Sequence, residues 1–107
     1  MKKVNQQKIA EAVQLLIKER RPEKVILFGS YARGAAAEDS DVDLLVIVPE
    51  VENKFREMIH LRRLLRPLKI PIDVLVFSEK DVHDWGYLPG TVLYWALKEG
   101  KVLYERI

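Results

Sequence analysis

An α/β fold of the α+β kind is expected for this chain, with a mixed sheet of about four strands flanked by helices. Three observations predict it. Apolar runs of strand length recur at residues 25–28, 41–48, 72–77 and 101–105. Stripes of helical period lie outside those runs, with Ile9, Val13, Leu16 and Ile17 on one and Met58, Leu61, Leu65 and Leu68 on another. The connections differ in kind. A short link joins the first two runs, which favours an antiparallel pair. A helix joins the second and third, which implies a right-handed crossover and parallel strands.

Each element has its own signal. Residues 5–20 carry the first stripe with Gln, Glu and Lys between its members, and Pro22 closes it. Val25-Ile26-Leu27-Phe28 is a short apolar run bounded by Gly29, the mark of a buried strand. Ser30 to Arg33 can make a helical turn before Gly34, and residues 35–40 are small and polar, as in a surface loop. The second strand runs over 41–48 and ends at Pro49. A helix over 52–68 follows, with Pro67 ending it early. The third strand covers 72–77. Ser78-Glu79-Lys80-Asp81 then resembles a capping box with Asp in place of Glu. Pro89-Gly90 breaks the chain, 92–98 reads as a short helix with Gly100 as its C-cap, and 101–105 is the last strand. The order is helix, strand, strand, helix, strand, helix, strand.

Composition narrows the function. The 107 residues leave room for one compact domain, 1–107. Apolar residues make up 49%, enough for a real core. With 18 basic against 16 acidic side chains, the net charge of +2 is too small to imply direct nucleic-acid binding. The absence of cysteine excludes disulfides, thiolate metal sites and a cysteine nucleophile. No apolar run of signal-peptide kind follows Met1-Lys2-Lys3, and none approaches membrane-spanning length, so a cytoplasmic protein is expected.

The chemistry concentrates between Ile26 and Val48. A strand ends at Gly29-Ser30, ten residues follow, and Asp41-Val42-Asp43 opens the next strand. Two carboxylates one residue apart on a strand project from the same face. Asp73 begins Asp-Val-Leu-Val-Phe much as Asp43 begins Asp-Leu-Leu-Val-Ile. The expected topology brings the end of the first strand and the starts of the second and third to one edge. There Asp41, Asp43 and Asp73 would converge with the glycine turn. Two carboxylates about 4 Å apart repel by about 4 kcal/mol at an effective dielectric near 20, so such a cluster needs a cation. Hard oxygen donors suit Mg²⁺, as one or two ions, or Mn²⁺, rather than Zn²⁺. Gly29 lets the backbone approach an anion, Ser30 can donate to a phosphate oxygen, and Arg33 could reach the same phosphates or a pyrophosphate leaving group. Taken singly, each signal has a plainer meaning. A lone Asp-x-Asp is usually a turn or cap, a lone Gly-Ser a turn, and a lone Asp73 a strand end facing water. Their joint occurrence at strand ends favours the metal site.

Gly29-Ser30, Asp41-Val42-Asp43 and Asp73 together resemble the nucleotidyltransferase superfamily of DNA polymerase β type. The small size, the form Gly-Ser-Tyr-Ala-Arg-Gly and the ending Leu-Lys-Glu-Gly-Lys-Val-Leu-Tyr-Glu resemble its minimal nucleotidyltransferase (MNT) branch. The resemblance implies that Asp41 and Asp43 bind the metals holding the triphosphate. It also implies that Asp73 ligates the catalytic metal and helps deprotonate the acceptor, and that Gly29 and Ser30 bind phosphate. The role of Arg33 varies across the superfamily. MNT proteins often act as antitoxins of an all-helical HEPN partner, typically an RNase. The implied activity is transfer of AMP from ATP to a tyrosine hydroxyl of that partner. Two alternatives stand beside it. The chain could neutralise the partner by binding alone, or serve as one subunit of a small-molecule, aminoglycoside-like nucleotidyltransferase. The latter would need a second subunit to enclose its acceptor.

Other residues are read more plainly. His60 with Arg62, Arg63 and Arg66 is expected to form a solvated helix face, with a partner surface second and nucleic acid third. His83 to Tyr87 is expected to be a loop packed over the core by its aromatics. Tyr94 and Trp95 are expected in core or interface. A sheet this small is expected to leave apolar surface for a partner.

Overall fold

The computed structural model describes residues 6–32, 34 and 41–106. Helix α1 (Gln6–Arg20) buries Ile9, Ala12, Val13 and Leu16, the i, i+3, i+4, i+7 set of one face. The chain then enters β1 (Lys24–Phe28) and β2 (Val42–Val48). Helix α2 (Lys54–Leu65) starts at Asn53, whose side chain accepts from the Arg56 N–H, and tightens into a 3₁₀ turn (Arg66–Leu68) around Pro67. Strand β3 (Ile72–Ser78), helices α3 (Glu79–Trp85) and α4 (Val92–Glu99), and β4 (Lys101–Glu105) complete the described chain.

The sheet order is β3-β2-β1-β4. Strand β1 pairs antiparallel with both β2 and β4, whereas β2 and β3 run parallel, joined by α2. This is the mixed sheet expected from the unequal connections. Position explains composition. β2 is central and buried at every residue except Asp43, so it is apolar almost without interruption. Val42, Leu44, Val46 and Val48 pack with Val25, Leu27, Val74 and Val76 under α1 and α2. The opposite face is thinner. Ile26, Leu45 and Ile47 meet Leu93 and Ala96 of α4, with Phe28, Phe77 and Val82 at the margin. Asp43 and Asp73 share that thinner face by alternation with Leu45 and Phe77.

Two differences from the sequence reading stand out. Helix α3 was not expected, although its cap was: Ser78 accepts from the Asp81 N–H and Asp81 accepts from the Ser78 N–H. Residues 83–85 therefore lie in a helix rather than in a loop packed over the core. Trp85 and Tyr87 point outward, at 54% and 68% exposed. Pro67 ends the 52–68 helix early, as expected: α2 gives way to a 3₁₀ turn because proline cannot supply the next backbone donor. At the far end, Gly100 gives α4 its cap by absence of a side chain. A Cβ there would lie 2.4 Å from the Ala96 carbonyl oxygen and 2.5 Å from Ile26 Cγ2. Residues 35–40, read as a surface loop, and Arg33 lie outside the described residues.

Candidate active site

Strand register assembles the site. Phe28 is the Cα partner of Asp43 across the β1–β2 pair, and Asp43 is the partner of Asp73 across β2–β3. Adjacent strands lie about 4.8 Å apart, so the two aspartates on one face are held side by side. Gly29 follows Phe28 and turns the chain with φ of 75°. That angle is one L side chains rarely adopt. A Cβ on Gly29 would also sit 2.3 Å from Asp43 Oδ2. Glycine is thus favoured twice here, by its backbone angle and by the carboxylate that any side chain would have to displace. The bend continues through a hydrogen bond from the Ala32 N–H to the Gly29 carbonyl at 3.1 Å, with half-buried Ser30 inside it.

The other site candidates divide. Asp41 stands two residues ahead of Asp43, exposed, just before β2. The Val42 N–H bonds the Pro71 carbonyl at 2.8 Å and ties that strand start to the approach to β3. Arg33 lies outside the described residues. Among the described residues, no three Asp, Glu or His side chains form a group able to hold a metal ion. The residues present nevertheless fit a hard divalent cation. Two carboxylates side by side at a sheet end match the one or two that Mg²⁺ commonly takes, the rest of its shell being water and phosphate.

One functional neighbour escaped the sequence reading. Arg62 is exposed, as expected of a solvated helix face, and in addition its Nη2 lies 2.6 Å from Asp73 Oδ1 and donates to the Val74 carbonyl at 3.2 Å. Leu61 and Leu65 are buried and fix the rotation of α2, which carries Arg62 to β3, an outer strand. Sequence held only a weak signal: an arginine beside a buried leucine in a helix that leads directly into the strand bearing Asp73. The neighbouring His60 fits the solvated reading better. It is exposed and lies 2.6 Å from Glu19 Oε2. A cleft of about 310 Å³ also opens beside Gly29, lined by Phe28, Ala32, Thr91, Val92, Trp95 and Glu99 among others. Trp95 was expected in core or interface; it is half exposed at the mouth of this cleft.

A helix-backed mixed sheet with a glycine bend and paired aspartates at one end is the arrangement of a nucleotidyltransferase. Residues 7–107 match the family described as Polymerase beta, Nucleotidyltransferase, and the chain belongs to that family. It is similar to the Methanocaldococcus jannaschii protein named "Putative protein adenylyltransferase MJ0604", at 40% identity over 88 residues, 78% of this chain and 80% of that one. Its fold is similar to that of the complex of tri-AMPylated Shewanella oneidensis HEPN toxin with MNT antitoxin (TM-score 0.60, 17% identity, 94% of this chain and 72% of that one). The fold is also similar to that of a spectinomycin adenyltransferase from Enterococcus faecialis bound to ATP and spectinomycin (TM-score 0.73, 18% identity, 97% of this chain and 57% of that one). Among the described residues, no helix is long and apolar enough to cross a membrane.

Proposed function

We propose that residues 1–107 act as one minimal cytoplasmic nucleotidyltransferase domain. In this reading it transfers AMP from ATP to a tyrosine hydroxyl of a HEPN-type partner and so serves as that partner's antitoxin. The observation that carries the reading is the register pairing of Asp43 with Asp73 beside a bend that favours glycine. The relative named as a protein adenylyltransferase and the AMPylated toxin complex of similar fold support protein as the acceptor class.

The chemistry follows from the residues. Backbone N–H groups of the Gly29-Ser30 bend and the Ser30 hydroxyl would hold the β- and γ-phosphates. Asp41 and Asp43 would hold Mg²⁺ against the triphosphate, and Asp73 would complete the site on the acceptor side. A bound divalent cation supplies charge neutralisation for an in-line displacement. Asp73 takes the proton of the acceptor hydroxyl. The tyrosine oxygen then bonds to the α-phosphorus, the bond from that phosphorus to the α,β-bridging oxygen breaks, and pyrophosphate leaves. Arg33 is assigned to the leaving pyrophosphate.

The test uses ATP labelled at the α-phosphate, Mg²⁺ and an all-helical HEPN-type protein as acceptor. Label on a tyrosine of that protein is expected. Label that never leaves the nucleotide would remove the proposal. A second reading, neutralisation by binding alone, is favoured by the exposure of Trp85, Tyr87, Val92 and Trp95. It predicts that Asp43→Asn still neutralises the partner in cells, whereas the catalytic reading predicts that neutralisation is lost.

A further inference from the structure

We propose that Arg62 is a positioning residue that holds Asp73 in the cation-free enzyme and is exchanged for the divalent cation when the site loads. The inference rests on the proposed metal role of Asp73. Two facts set it up. Asp43 and Asp73 are register partners, so without a cation their carboxylates would repel across one strand spacing. Arg62 supplies the positive charge from the other side of β3, 2.6 Å from Asp73 Oδ1.

The geometry is built rather than incidental. The same Nη2 also bonds the Val74 backbone carbonyl, so the guanidinium is anchored to β3 and not merely drawn to a charge. The buried Leu61 and Leu65 pin the segment of α2 that carries it. An oxygen engaged by the guanidinium is a poorer ligand, and two positive centres sharing one carboxylate repel. Arginine and cation therefore compete for Asp73. The pair is weak enough to exchange, because both side chains are nearly half exposed, at 43% and 44%. The device keeps the strand end in shape while empty and raises the cation concentration needed to fill it.

The test is Mn²⁺ binding to the whole chain, followed by electron paramagnetic resonance, in wild type, Arg62→Gln, Arg62→Lys, Asp73→Asn and the Arg62→Gln/Asp73→Asn double variant. Releasing an exposed pair should tighten Mn²⁺ binding by about two- to fivefold in Arg62→Gln. Arg62→Lys, which keeps the charge but loses the planar fork, should fall between it and wild type. Arg63→Gln, the same charge change one residue along α2, should move affinity less than Arg62→Gln. The gain should vanish in the Asp73→Asn background. In turnover, Arg62→Gln should lower the Mg²⁺ concentration for half-maximal rate. Equal or weaker Mn²⁺ binding in Arg62→Gln overturns the exchange, as does a gain that survives Asp73→Asn. If Arg62→Gln does not fold, Arg62→Lys alone decides, by tighter binding than wild type or not. Absence of Mn²⁺ binding to wild type overturns the site assignment together with the exchange, whereas normal binding unaffected by Arg62 leaves the site assignment standing.

Discussion

Gly29 is the residue on which the site's geometry turns. Its φ of 75° and the 2.3 Å from a would-be Cβ to Asp43 Oδ2 make any side chain there both strained and obstructive. Gly29→Ala should cost about 1–2 kcal/mol in stability from the backbone angle alone, measured by urea unfolding. Its loss of nucleotidyl transfer should be larger than that cost converts to, because the methyl pushes the Asp43 carboxylate aside. A variant equally destabilised but fully active would show that Asp43 does not depend on the bend. The strand-end positions of Gly29, Asp43 and Asp73 were legible in the sequence because strand ends are read from local apolar pattern, whereas a three-carboxylate group with Asp41 is not formed among the described residues. Arg62 was not legible, because its partner depends on the rotation of α2 against β3. That rotation is set by Leu61 and Leu65 packing into the core rather than by anything near Arg62 in sequence.

At the level of elements, α2 and α3 are tied to each other through one carboxylate. Asp81 accepts from the Ser78 N–H and pairs with Lys54 Nζ at 2.7 Å, at the start of α2. Burial pushes the Asp81 carboxyl upward. The hydrogen bonds from Lys54 and Ser78 outweigh that and hold it below the ordinary aspartate range. A depressed carboxyl stabilises the fold above its unfolded pKa, 3.8, and that stability disappears as pH falls through the lower folded value. Wild type should therefore exceed Asp81→Asn in urea midpoint at pH 7, and the gap should close as the solution is acidified below pH 3.8. A gap independent of pH would assign the effect to something other than charge. Ser78→Ala should cost about 1 kcal/mol through loss of the cap. The cap was readable from Ser78 and Asp81. The helix it starts was not, because seven residues with none buried give no helical stripe to detect.

For the whole molecule, the uneven covering of the sheet is what opens the site. α1 and α2 close one face, while α4 and the margin of α3 cover only part of the other, where Asp43 and Asp73 lie. The topology was readable because connection length decides strand direction: a short link for the antiparallel β1–β2 pair and a helix for the parallel β2–β3 pair. The outward turn of Trp85 and Tyr87 was not, since aromatics in sequence point to the core by default. The central claim is that paired carboxylates at this sheet end drive nucleotidyl transfer. Its most direct measurement is the single-turnover rate of AMP transfer to the proposed HEPN-type acceptor under saturating MgATP, for wild type and Asp43→Asn at matched folded concentration. The account predicts a rate loss of about a thousandfold or more in Asp43→Asn, with the fold intact. Transfer by Asp43→Asn within a few-fold of wild type would contradict it.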